Sequence, residues 1–400
     1  MASRLLHPES PWLLALLAAL VALGPLSVDM YLPAMPLMML ALETDISHMH
    51  LTLSTYLTGF ALFHLVCGPR ADRIGRKPVL IGGTGLFVVA CIGCALSTTV
   101  EELMAYRFVQ GIGACVGPTL ARAVARDVFG PTRAARALSL IAMLMALAPA
   151  VAPTLGSILL LWLPWPVVFL FLAGYGASMI VLIQVFLAES LPVRQSLHPL
   201  VIARNYAELV RDRLFVAATL GSGMVYAGLL TYLSSSSFVY IDMLGVPMQY
   251  FGFIFLTSVA GYMLGSATSA RLTRHLVPEQ TVLLGSLLTT GSSGLMLLGG
   301  LALPGNVFAL VLPMIFYATG MGLVLPNAMA IALRPFPHIA GTASALLGFI
   351  QMGLSAGATA LVGVFLRDSP EPMLYGMFGI SALALLLCLH VHRHRQAINH

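Results

Sequence analysis

Asp29, in the first hydrophobic segment, and Arg107, in the fourth, are the two residues charged at pH 7 that lie deep within the apolar stretches of this 400-residue chain. An ionisable group at the centre of a hydrocarbon layer costs roughly 2.5–3.5 kcal/mol on insertion scales, so a segment that keeps one is expected to use it. Desolvation disfavours the carboxylate form of Asp29, whereas a nearby guanidinium or access to water favours it. A site whose balance changes between two states can take up a proton on one side and release it on the other. If a second solute competes with the proton for Asp29, the cycle becomes exchange, and each pH unit supplies about 1.4 kcal/mol per proton. The plainer expectation is that the two residues only pair and lock their helices together, although a buried pair is weak evidence of net stability.

The surrounding chain is built for lipid. Hydrophobic residues make up 59% of it and charged residues 9%, with a mean hydropathy of +0.93, whereas a soluble domain carries about a quarter charged residues. A spanning helix needs about 20 largely apolar residues. Twelve such stretches are centred near Leu20, Gly59, Val88, Gly113, Leu147, Val181, Ala227, Val259, Leu288, Ala318, Met352 and Leu383. Helices satisfy their own backbone hydrogen bonds in lipid, so the expected fold is an all-α polytopic bundle of twelve transmembrane helices. With the N-terminus placed in the cytoplasm, every Lys and Arg except Arg107 and Arg367 falls on the inner side, while carboxylates divide between both sides. That is the positive-inside pattern, and it puts both termini in the cytoplasm.

The net charge of +5 thus reflects topology and an anionic inner leaflet rather than nucleic-acid binding. The first hydrophobic run is long and contains Asp29, Pro33 and Pro36, unlike a cleavable signal peptide. All five cysteines fall in hydrophobic segments. Cys91 and Cys94 have the spacing of a metal pair, but no second pair or neighbouring His completes it, so no metal or other cofactor is expected.

Asp29 lies 17 residues beyond Trp12, about 26 Å along an ideal helix, and Arg107 lies five residues beyond Glu102, about 8 Å down a helix running the other way. Both positions fall in the outer half of a roughly 30 Å hydrocarbon core. Gln110, three residues on, shares a face with Arg107. Tyr31, Tyr56, Phe60, Met145, Tyr232, Phe238 and Phe349 are candidates for an aromatic and Met-rich wall, with Ser235, Ser236 and Gln351 as sparse polar contacts. Such surfaces suit varied ligands. His64 is read as a satisfied helix contact, and Gly353 and Gly357 as places where helices approach closely.

A second cluster follows the second helix: Gly68, Asp72, Arg73, Gly75, Arg76 and Lys77, closed by Pro78. Gly68 is expected to let two helices approach, Gly75 to permit a tight turn, and the acid and bases to form a breakable charge network on the cytoplasmic rim. The longest polar stretch, residues 189–213, divides the chain into halves at 1–188 and 214–400. Within it, apolar residues between Leu200 and Val210 recur at helical spacing, consistent with a short helix along the membrane surface or with a loose connector. Gly265, Arg271 and Arg274 after the eighth helix loosely repeat the pattern after the second, as two parallel six-helix repeats would.

The run from Gly68 to Lys77 resembles motif A of the major facilitator superfamily. Arg107, Gln110, Gly111 and Gly113 resemble its motif B, and Pro149, Pro153 and Gly156 its antiporter motif C. Asp29, Met30, Tyr31, Leu32 and Pro33 are similar to the signature of the Bcr/CflA drug-resistance branch, which includes chloramphenicol and florfenicol exporters. Residues 234–240 and 341–344 are also similar to that branch. Arg70 and Ala71 depart from motif A, and Ala146 and Ala152 from motif C.

The resemblance implies two six-helix halves and a monomeric, non-enzymatic antiporter of the bacterial inner membrane. It would export drug-like small molecules in exchange for protons, with Asp72, Arg76 and Asp127 as the cytoplasmic gate. A metabolite or siderophore exporter, a proton-coupled uptake symporter and a membrane receptor are the alternatives. No nucleic acid is expected as a partner.

Overall fold

The computed structural model describes residues 10–145, 148–191 and 199–398, all helices and connections. The chain opens with α1 (Pro11–Asp29), whose first turn is capped by Ser10, the hydroxyl accepting from the Trp12 N–H (3.3 Å). This helix stops at Asp29, and a 3-10 turn at Leu32–Ala34 leads into α2 (Met35–Ala41). The break follows from Pro33, which has no N–H to donate to the carbonyl of Asp29 one turn back. The first span is therefore discontinuous, and Asp29 terminates a helix within it. Next come α3 (Ile46–Ile74), α4 (Arg76–Leu96) and α5 (Val100–Met145).

The connection between the fourth and fifth spans is helical in its described part. The span at Val100–Phe129 continues as helix to Met145. After residues 146–147, which lie outside the described ones, α6 is described over Ala148–Leu160. Among the described residues, eleven helical segments are long and apolar enough to cross a membrane, with α6 a shorter apolar helix at the expected fifth span. The remaining elements are α7 (Pro166–Phe186), α8 (Pro199–Arg211), α9 (Arg213–Ser237), a π-helical stretch at Phe238–Met243, α10 (Met248–Leu272), α11 (Pro278–Ala302), α12 (Phe308–Leu333), α13 (Ala340–Phe365) and α14 (Glu371–Ile398). The helix at α8 favours the helical reading of residues 200–210 over a loose connector.

The chain divides into two compact units, one of Met1–Glu43 with Thr55–Pro199 and one of Thr44–Ser54 with Leu200–His400. In the first, α5 is the central helix because its glycines admit neighbouring backbones. A Cβ on Gly117 would run into the Leu20 carbonyl of α1, and one on Gly111 into the Tyr56 carbonyl of α3. The Tyr175 hydroxyl donates to the Ala19 carbonyl (2.8 Å) and ties α7 to α1. In the second unit, Tyr317 of α12 donates to the Val225 carbonyl of α9 (2.8 Å), Asn327 to the Ser269 hydroxyl of α10 (2.7 Å), and Thr290 of α11 to the Ser381 carbonyl of α14 (2.9 Å). All five cysteines are free and buried.

Candidate functional site

Arg107 is fully buried, with 0% of its surface exposed. It is held in place by the start of α5, where the Glu102 carboxylate accepts from the Thr98 N–H (2.9 Å) and hydroxyl (3.1 Å). Two turns further on, Nη1 of Arg107 donates to Oε1 of Gln110 (2.6 Å) and to the Ser27 carbonyl (3.2 Å). The second bond has a structural cause: α1 ends at Asp29, and the last carbonyls of a helix lack partners within it. The guanidinium is also flanked by two rings, 4.2 Å from the centroid of Tyr31 and 4.4 Å from that of Tyr56, a contact strengthened by removal from water. Gln110 in turn donates to Sγ of Cys91 (3.0 Å), and the Tyr56 hydroxyl to the Gly24 carbonyl (3.2 Å).

Asp29 is 4% exposed and lies between Ser27 and Tyr31, both of which touch Arg107. Asp29 is thus two residues in sequence from each of two Arg107 contacts. Among the described residues, however, no ion pair within 4.0 Å joins Asp29 and Arg107, so the expectation of a locking salt bridge is not met. The link between α1 and α5 is made by the Ser27 carbonyl and the tyrosine rings instead. Phe60 continues this wall, 6.3 Å from Tyr56 and 5.8 Å from His64. His64 Nδ1 lies 3.6 Å from Sγ of Cys115, a helix contact of the kind expected. On α6, Pro153 and Gly156 are buried, and a Cβ on Gly156 would lie 2.8 Å from the Met30 carbonyl. Pro149 lies on the same helical segment. The Met145 side chain lies outside the described residues.

The remaining pocket candidates belong to the second unit. The Tyr232 and Tyr240 hydroxyls share a hydrogen bond (2.9 Å), Ser236 donates to its own helix at Leu233 (2.6 Å), and the buried Ser235 hydroxyl has no recorded partner. Phe349 and Gln351 are half-buried on α13. Phe238 stacks on His50, a buried residue that sequence reasoning did not single out, at 5.9 Å between ring centres. His50 Nδ1 is 3.2 Å from the Thr359 carbonyl. Because a carbonyl only accepts, this bond places the proton on Nδ1.

On the basic rim of the first unit, Arg76 bridges Asp72 (2.7 Å) and Asp127 (3.1 Å). Gly75 has φ +122°, a conformation that disfavours residues with a Cβ. Glu189 was missed, having been read only as the start of the linker. Its carboxylate accepts from the backbone N–H groups of Arg76 (2.9 Å) and Lys77 (3.2 Å), and Lys77 Nζ donates to the carbonyls of Gln184 (3.0 Å) and Leu187 (2.8 Å). An anion at a helix N-terminus satisfies orphan donors and the helix dipole, and its place just after α7 was the available signal. Gly68 corrects an expectation: a Cβ there would meet nothing within 4 Å, so it mediates no close approach, and the same holds for Gly353 and Gly357. Arg73 is exposed. The second unit has its own link between a helix start and a helix end, with Arg334 donating to Glu279 (3.2 Å).

A helix broken in mid-span, a buried arginine and aspartate and a charged rim accord with what known proteins show. The family model of the Major Facilitator Superfamily matches residues 17–360. The chain belongs to the major facilitator superfamily. It is therefore a multi-pass membrane transporter rather than an enzyme. It is 33% identical over 353 residues, 87% of this chain and 88% of the other, to YdgK of Bacillus subtilis strain 168, an uncharacterized MFS-type transporter. It is 28% identical to a bicyclomycin resistance protein homolog of Haemophilus influenzae, covering 92% and 93% of the two chains. It is 29% identical to the multidrug resistance protein MdtL of Shigella flexneri, covering 96% of each. Among solved structures, a peptide transporter of the POT type superposes with a TM-score of 0.78 at 16% identity over 99% of this chain and 97% of that one. A D-xylose–proton symporter gives 0.73 at 15% identity over 95% and 97%. At such identities these two speak to the fold alone.

Proposed function

We propose that this transporter is a proton-coupled antiporter that exports amphipathic antibiotic-like compounds, phenicols or a wider drug range, across a bacterial inner membrane by alternating access. The observation that carries this reading is Asp29: a buried carboxyl group at a broken helix end, two residues in sequence from each of two Arg107 contacts yet not ion-paired to Arg107. An arginine stays charged throughout a cycle, whereas an aspartate can be charged or neutral, so Asp29 is the proton carrier and Arg107 the fixed charge beside it. Relatives named for bicyclomycin and multidrug resistance support the drug-like substrate class. Tyr31, Tyr56, Phe60 and Gln110 would meet the substrate in the first unit, and Tyr232, Ser235, Ser236, Phe238, Phe349 and Gln351 in the second. Asp72, Arg76 and Asp127 would form the breakable gate.

The test is uptake into inside-out vesicles across a small drug panel with imposed pH and voltage gradients. One pH unit should sustain about a tenfold gradient of a neutral drug exchanged for one proton. Asp29→Asn should fold and bind drug while losing that gradient-driven accumulation. Undiminished pH-driven transport by the variant removes Asp29 from the mechanism, and failure of every drug to move favours a metabolite or siderophore exporter.

A further inference from the structure

A groove of about 360 Å³ in the first unit is lined by Leu62, Phe63, Val66 and Arg70 of α3 and by Phe108 and Ile112 of α5. It shares no residue with the Asp29–Arg107 site. Phe108 and Gly117 are nine residues apart on α5, half a revolution at about 100° per residue, and Gly117 is where α1 packs. The groove therefore opens on the side of α5 away from α1. Leu62 and Val66 are 47% and 43% exposed, within a segment apolar and long enough to cross a membrane. Leu62, Val66 and Arg70 recur every four residues, forming a strip about 12 Å long on one face of α3.

Arg70 closes the basic end of this strip. Whereas Arg76 and Arg334 each hold a carboxylate, no carboxylate lies within 4.0 Å of Arg70 among the described residues. Its recorded contact is with the ring of Phe63, 6.0 Å from the guanidinium carbon. The stem of such an arginine lies along apolar surface while its head stays at the polar boundary. Arg70 is also one of the two positions at which the chain departs from motif A, so the feature belongs to this protein rather than to the motif. An apolar trough ending in a guanidinium with no carboxylate beside it among the described residues fits an amphiphile that carries an acyl chain and a phosphate.

We propose that this groove is a binding site for an anionic phospholipid, with the headgroup phosphate on Arg70 and one acyl chain along Leu62, Val66, Phe108 and Ile112. Arginine suits the role because its planar fork matches phosphate oxygens, and anionic lipids are enriched at the cytoplasmic leaflet, where the basic end of the chain belongs.

The test uses the purified full-length protein in detergent, with bound lipid counted by native mass spectrometry after addition of phosphatidylglycerol or phosphatidylcholine with identical chains. A parallel arm adds inorganic phosphate alone and follows thermal stability. The wild type should retain phosphatidylglycerol over phosphatidylcholine by about fivefold, the factor expected of one basic side chain at an anionic surface. Arg70→Gln should bring that ratio close to parity, Val66→Trp should fill the groove and reduce retention of both lipids, and Arg271→Gln on the second unit should change neither. Leu62→Trp replaces Val66→Trp if the latter does not fold. An unchanged ratio in Arg70→Gln, or undiminished retention in the groove-filling variant, overturns the proposal. Equal protection by phosphate alone would reduce the site to one for a free anion and overturn it as well.

Discussion

A guanidinium between two phenol rings has more demanding requirements than a positive charge alone. Arg107 lies over the rings of Tyr31 and Tyr56 while donating to Gln110 and the Ser27 carbonyl. A lysine would keep the charge but not the planar fork. Arg107→Lys is therefore expected to lose about 1–3 kcal/mol of stability, read as a lower midpoint of thermal unfolding in detergent, together with drug counterflow. Wild-type values for both would show that charge alone matters at this position. Asp29, Arg107 and Gln110 were legible in the sequence because a charge in an apolar run is conspicuous and the i+3 spacing gives its neighbour. Their bonding was not, because it depends on α1 ending at Asp29 and offering a carbonyl. That ending is a backbone event set by Pro33, beyond the stretch from Trp12 to Asp29 that the helical-depth arithmetic covers.

At the scale of elements, the helices were legible as lengths and the junctions were not. The first span breaks just ahead of Pro33 although Pro25 lies within its first helix, and the connection after the fourth span is helix. Gly68 and Gly75 look alike as letters in one motif. Only Gly75 is required by geometry, at a positive φ beside the Glu189 carboxylate. Glu189 caps α4 from beyond the end of α7, so it stabilises a helix distant in sequence. Replacing it with glutamine removes the anion from the helix start and should cost about 1 kcal/mol. Hydrogen exchange provides the check: the Arg76 and Lys77 amides should exchange faster in Glu189→Gln. Unaltered protection would mean that the cap is replaced by water at no cost.

For the whole molecule, the distribution of Lys and Arg makes a statement about orientation that needs no atomic detail. Both termini should be cytoplasmic, so a fluorescent protein fused to the C-terminus should glow while alkaline phosphatase fused there stays inactive, and a phosphatase inserted at Glu43 should be active. The opposite pattern would invert the assignment of the rim. Fold class was readable from composition because lipid restricts a spanning chain so severely. The opening turns of α3 count with the second unit, and nothing in their composition marks this. The five buried thiols have a practical consequence. Buried cysteines react poorly with water-borne reagents, so cysteines introduced at exposed positions can carry spin or fluorescent labels against a quiet native background. The natural sequence is thus already suited to distance spectroscopy of its working cycle, without first removing its own sulfur.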